Sequence, residues 1–144
     1  MPRNLPLLLI RVLAGIVFLT EGILKFLYPG ELGSGRFAHV GLPMPNVLAP
    51  AVGAVEIAAG GALILNAYVG PAAILLLCVI TTAIVTTKVP ILLGHNLGPF
   101  PVPKNTAHTG VLGFLHESRT DLAMLFSLAA ILVDLRGAGS RPRR

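Results

Sequence analysis

The stretch VLAPAVGAVEIAAGGALILNAYVGPAAILLLCVITTAIVTTKVPILL, residues 47–93, decides the fold. It contains two apolar runs, 47–65 and 69–93, separated by little more than NAYVG. Crossing a hydrocarbon core takes about 20 mostly apolar residues, and both runs are of that order. A link this short joins antiparallel neighbours. Pro71 suits the first turn of the second run, where no amide donor is needed, and Pro90 predicts a kink near its end. Working outward, a third run covers residues 5–28. A fourth is centred on 122–135 and begins about a turn earlier, giving 118–136. The expectation is a single all-α domain over residues 1–144, an antiparallel four-helix transmembrane bundle.

Composition agrees. Hydrophobic residues make up 54% of the chain and charged residues 12%, against about 25% charged in an ordinary soluble domain. Mean hydropathy is +0.82. A soluble chain of this size could not bury so much aliphatic surface and still cover itself with polar groups. A soluble globular enzyme and a disordered tail are therefore excluded. The net charge of +5 owes much to the tail RGAGSRPRR, which reads as a membrane-surface anchor and not as a nucleic-acid contact. The start MPRN followed by LPLLLI has the look of a secretory leader. Arg11 interrupts the apolar stretch, however, and Glu21 and Lys25 follow without a small-residue cleavage site, so the segment reads as a retained helix. The one cysteine, Cys78, lies in an apolar run and reads as a small buried residue. With no C-x-x-C, dithiol relay is excluded.

Arg3, Arg136, Arg141, Arg143 and Arg144 fall on one side of the four helices, and Arg36, Lys104 and Arg119 on the other. The excess of positive charge places both termini in the cytoplasm, in an inner (cytoplasmic) membrane. The two long connections, PGELGSGRFAHVGLPMPN and GHNLGPFPVPKNTAHTGVLGFLHE, then face outward. Long connections of this kind are often functional.

Ionisable residues are costly in a bilayer and mark function or pairing. At 1.5 Å per residue, Glu21 lies about 10 Å and Glu56 about 13 Å below the outer ends of their helices. Lys88 lies just before Pro90, and Asp121 in the first turn of the last helix. Arg11, Gly15, Phe18, Gly22 and Lys25 form one stripe, with Glu21 four residues before Lys25 in the favourable order for an ion pair. Gly53, Glu56 and Gly60 share a face on which another backbone can come close, and Ala54, Ala58 and Ala62 form a second small-residue face. The expectation is one buried cluster of Glu21, Lys25, Glu56 and Lys88, closed from above by Arg119 and Asp121. Its members either bind a ligand or move protons, or they pair to neutralise one another and fix helix register. Ser118 with Asp121 also matches a capping box. The histidines, His39, His95, His108 and His116, fall in the outer connections at spacings that match no standard zinc pattern. His95, His108 and His116 are weak candidates for a shared metal site, and exposed loop histidines are the plainer reading. No phosphate loop, dinucleotide fingerprint or nucleophile elbow occurs. Any electron carrier must come from a bound quinone or from a partner.

The stretch LLLIRVLAGIVFLTEGILKFLYP resembles the first helix of DoxX-type membrane proteins, with Arg11, Gly15, Gly22 and Lys25 in the expected places. VGLPMPN resembles the element before their second helix. VGAVEIAAGGALIL resembles that helix, with Glu56 at the acidic position, and ESRTDLAML resembles the opening of the fourth. The third connection, with its GPFPVPKN, is more elaborate than the family minimum. The resemblance implies a four-helix bundle and a loose tie to membrane redox chemistry, some relatives being linked to a thiosulfate:quinone oxidoreductase. Three functions follow as expectations. The chain is a non-catalytic subunit of a membrane oxidoreductase, in contact with lipid and other membrane subunits. Alternatively it binds a quinone or other small molecule in the charged outer half, with Glu56 and Glu21 exchanging protons and Lys25 holding an anionic or carbonyl group. As a third possibility it transports a lipid or solute.

Overall fold

A computed structural model describes residues 5–139. Six helices follow in order: α1 (Leu5–Leu27), α2 (Ser34–Val40), α3 (Pro45–Ile64), α4 (Val69–Leu93), α5 (Gly110–Glu117) and α6 (Arg119–Gly139). No strand is present among the described residues; the chain pairs with itself only at the isolated bridge Leu97–Phe100. The bounds of α1, α3 and α4 fall within two residues of those expected from the sequence. Two short helices were not expected. α2 forms inside the first long connection and α5 at the end of the third.

α1, α3 and α4 are each long and apolar enough to cross a membrane. The sequence assigns a fourth crossing to α6, which forms but is not among those three. Its apolar stretch lies between Asp121 and Asp134, shorter than the roughly 20 residues a full crossing uses.

The core is shared. Ala14 and Phe18 of α1, Ala59 and Leu63 of α3, Leu76 and Ile80 of α4, and Met124 and Leu128 of α6 are buried in one cluster. Large apolar side chains remain outside it, including Leu9, Leu13, Phe126 and Val133. A water-soluble monomer rarely exposes apolar surface on this scale, whereas lipid accepts it. Cys78 joins this outward face and is exposed. That corrects the buried placement expected from its apolar neighbours: an all-apolar helix does not reveal which face turns inward.

α1 packs most extensively on α3, and glycine is the reason. A Cβ on Gly15 would lie 2.8 Å from the Gly60 carbonyl oxygen, and one on Gly22 would lie 2.7 Å from that of Gly53. The two backbones therefore touch at two levels, as small residues allow in membranes. The α3–α4 turn is tight, with Asn66 and Tyr68 in left-handed conformation.

Pro90 was expected to kink α4. The distortion is a π-turn at Ile84–Lys88, immediately before the proline. The wider turn accommodates the missing amide and the ring. The hydroxyl of Thr86 donates to the Thr82 carbonyl at 2.8 Å, and that of Thr87 to the Ala83 carbonyl at 2.5 Å.

Candidate functional site

Two ion pairs link the long helices toward the end that carries the two long connections. Lys25 of α1 meets Glu56 of α3, Nζ to Oε2, at 2.6 Å. The side chains are only 10% and 5% exposed. The Gly22–Gly53 contact, one turn away, brings the two helices close enough for this reach. Lys88 of α4 meets Asp121 of α6 at 3.6 Å, in a more open position.

The single cluster expected from the sequence is thus divided. Lys25 does not pair with the Glu21 carboxylate; its ammonium reaches only the Glu21 backbone oxygen, at 3.4 Å. The buried carboxylate across the interface wins over the neighbour four residues away, because a pair removed from water interacts more strongly. Glu21 is exposed, although its charge is felt by both Glu56 and Asp121. Arg119 turns back to donate to the His116 carbonyl at 2.6 Å and does not close the cluster. Ser118 forms no capping box. Its hydroxyl donates to the Phe114 carbonyl at 2.5 Å, at the break between α5 and α6. The Leu122 amide bonds to the Ser118 carbonyl, the first bond of α6.

Above the Lys88–Asp121 pair lies a cleft of about 420 Å³. Its floor is the π-turn, through Thr86, Thr87 and Lys88. α2 supplies Arg36 and His39, and the strap Pro101–Thr106 supplies Lys104. Glu31 and Glu117 also line it. The two long connections touch where Gly41, in left-handed conformation, packs on the Pro99 carbonyl. Arg36 also acts on Asp121 through its charge, so that carboxylate faces two cations. Lys25 and Glu56 do not line the cleft.

Sequence reasoning did not single out Arg36, because the glycines around SGRFAHV read as loop. The short helix there was visible only in the spacing of Phe37 and Val40. The histidines are exposed, and among the described residues no group of three or more His, Cys, Asp or Glu could hold a metal ion. His39 and His95 instead contact backbone carbonyl oxygens through Nδ1.

At the opposite end, Arg11 donates to the side-chain oxygen of Asn66. These residues share a smaller pocket with Asp134. Neither Asn66 nor Asp134 was a sequence candidate.

Lys25, Glu56 and the π-turn Ile84–Lys88 fall within residues 6–89, which match the DoxX family. The chain belongs to the DoxX family. This DoxX protein is also 41% identical, over 136 residues, to the uncharacterized membrane protein Rv3486 of Mycobacterium tuberculosis. The match covers 94% of this chain and 78% of that relative. No solved structure matches it. The family match ends within α4, at residue 89, so the strap and α5, which build one wall of the cleft, lie beyond it.

Proposed function

We propose that this DoxX protein is an antiparallel four-helix transmembrane bundle that binds a small molecule in its outer cleft. The observation carrying this reading is the cleft itself: a space of about 420 Å³ lined by three cations, Lys88, Arg36 and Lys104, and by two carboxylates, Glu31 and Glu117. π-turns occur frequently at functional sites, and this one presents Lys88. α6 supports the fourth crossing by sharing the core with α1, α3 and α4; its Asp134 and Arg136 would then lie at the inner headgroups. Both termini are cytoplasmic in this reading, and the cleft opens to the outer face of the inner membrane. Four of the five residues that set this orientation, Arg3, Arg141, Arg143 and Arg144, lie outside the described residues.

A quinone headgroup suits the cleft. Its ring carbonyls accept hydrogen bonds from Lys88 and Arg36, Asp121 acts only through its ion pair with Lys88, and Val40, Ile91 and Val102 supply apolar wall. Lys25 and Glu56 fix the α1–α3 register in this reading and take no part in binding. The test is binding of a short-chain quinone to the full chain in nanodiscs. Lys88→Gln and Arg36→Gln should each weaken binding about tenfold, the loss of one charged hydrogen bond. Glu56→Gln should leave affinity unchanged wherever the protein folds. Unaltered affinity in both Lys88→Gln and Arg36→Gln would remove the assignment.

A second observation favours a role as a non-catalytic subunit of a membrane oxidoreductase. Ala51, Ala54 and Ala58 are exposed on the outward face of α3, where a helix of another subunit could approach closely. Purification from native membranes in mild detergent should then recover a stoichiometric redox partner. A lone species would argue against it.

A further inference from the structure

We propose that the pocket at the inner end of the molecule binds the headgroup of an aminophospholipid, with phosphate on Arg11 and ammonium on Asp134. The pocket, about 240 Å³, lies between the start of α1, the α3–α4 turn and the end of α6. It is a different place from the outer cleft and shares no residue with it.

Three features point to this ligand. The first is the state of Arg11. Its guanidinium is anchored on one side by the Asn66 side-chain oxygen, while its Nε is buried without a hydrogen-bond partner. A guanidinium carries five donors, and a buried donor left unmade is costly. A phosphate, which accepts from two of these donors at once, suits the planar fork. Asn66 holds the group in place without neutralising its charge.

The second feature is Asp134. It lines the same pocket, yet no ion pair joins it to Arg11 among the described residues. A plain anion would meet this carboxylate and be repelled. A ligand carrying a phosphate and a cation a few ångströms apart satisfies both groups. Phosphoethanolamine has that arrangement, and its ammonium also donates hydrogen bonds, which a quaternary choline cannot do. The third feature is the wall. Leu5, Leu8 and Leu135 are aliphatic, half-buried to exposed, and acyl chains would continue along them from the headgroup. A charged floor under aliphatic sides matches a lipid better than a free ion.

The full chain is purified in mild detergent, supplied with equal amounts of phosphatidylethanolamine, phosphatidylcholine and phosphatidylglycerol, and read by native mass spectrometry. One phosphatidylethanolamine should be retained in preference to the other two. Arg11→Gln should lower retention of all three about tenfold. Asp134→Asn, at an exposed position, leaves the fold intact and should erase the preference for ethanolamine over choline while keeping the phosphate contact. Millimolar inorganic phosphate should not compete. Equal retention of the three lipids by the wild type, or an unaltered preference in Asp134→Asn, overturns the proposal. Displacement of the lipid by inorganic phosphate also overturns it, since the pocket would then be a soluble-anion site.

Discussion

Removing the buried carboxylate of Glu56 leaves the Lys25 ammonium inside the α1–α3 interface with no counter-charge. The pair is 2.6 Å apart and its side chains are 10% and 5% exposed, so solvent cannot compensate. Breaking a buried ion pair from one side costs about 3–5 kcal/mol, whereas replacing both partners by apolar groups of similar size is often neutral or stabilising. Glu56→Gln and Lys25→Met should therefore each destabilise by about 3 kcal/mol, on the order of 100-fold in the folding equilibrium. The double variant Lys25→Met/Glu56→Leu should recover most of that loss. The coupling between the two sites would be several kcal/mol, beyond the usual range for neighbouring residues. The assay is reversible unfolding in mixed micelles, followed by far-ultraviolet circular dichroism across the four proteins. If the double variant is as unstable as the sum of the single ones, the pair does not act as a neutralised unit. If Glu56→Gln alone is harmless, Lys25 reaches the headgroups and the buried pair has no structural role.

Gly22→Ala should destabilise by about 1–3 kcal/mol through overpacking, because its Cβ would lie 2.7 Å from the Gly53 carbonyl oxygen; the same unfolding assay checks it. Gly61→Ala, where a Cβ meets nothing within 4 Å, should be neutral or stabilising. Cys78, exposed on the outward face of α4, should react in membranes with an apolar maleimide and resist a charged, membrane-impermeant one, as mass spectrometry of the labelled protein would show.

The long helices were legible because their signal is local. Residues 69–93 read as one apolar run and form one helix, Val69–Leu93. The close approach of α1 and α3 was legible for a related reason: Gly15 and Gly22, Gly53 and Gly60 recur at seven-residue spacing, and the structure brings them into contact. What could not be read was the choice among partners. Glu21 and Glu56 were both available to Lys25, and the helical spacing favoured Glu21. The outcome depends on how closely a second helix approaches, and that is set by atoms far away in sequence. Arg36 and Asp134 were missed for the same reason. Each shares its pocket with residues more than forty positions distant, Thr86–Lys88 for Arg36 and Arg11 and Asn66 for Asp134.

The two ion pairs also explain why a charged cluster became a register lock on one side and a cleft on the other. Lys25 and Glu56 sit beside backbone contacts that leave no room between helices. Their charges can only face each other, and a pair so enclosed has no route to a ligand. Lys88 sits on a helix whose regular turn is interrupted. The π-turn ends at Lys88, which Asp121 of α6 meets at the looser distance of 3.6 Å. α2, which packs on α3, and the strap face this turn, and the space between them is the cleft. Tight glycine packing therefore closes one half of the charged layer, and the proline-linked turn opens the other. On the proposed reading, binding at the cleft responds to changes at Lys88 and Arg36 before it responds to changes at Glu56.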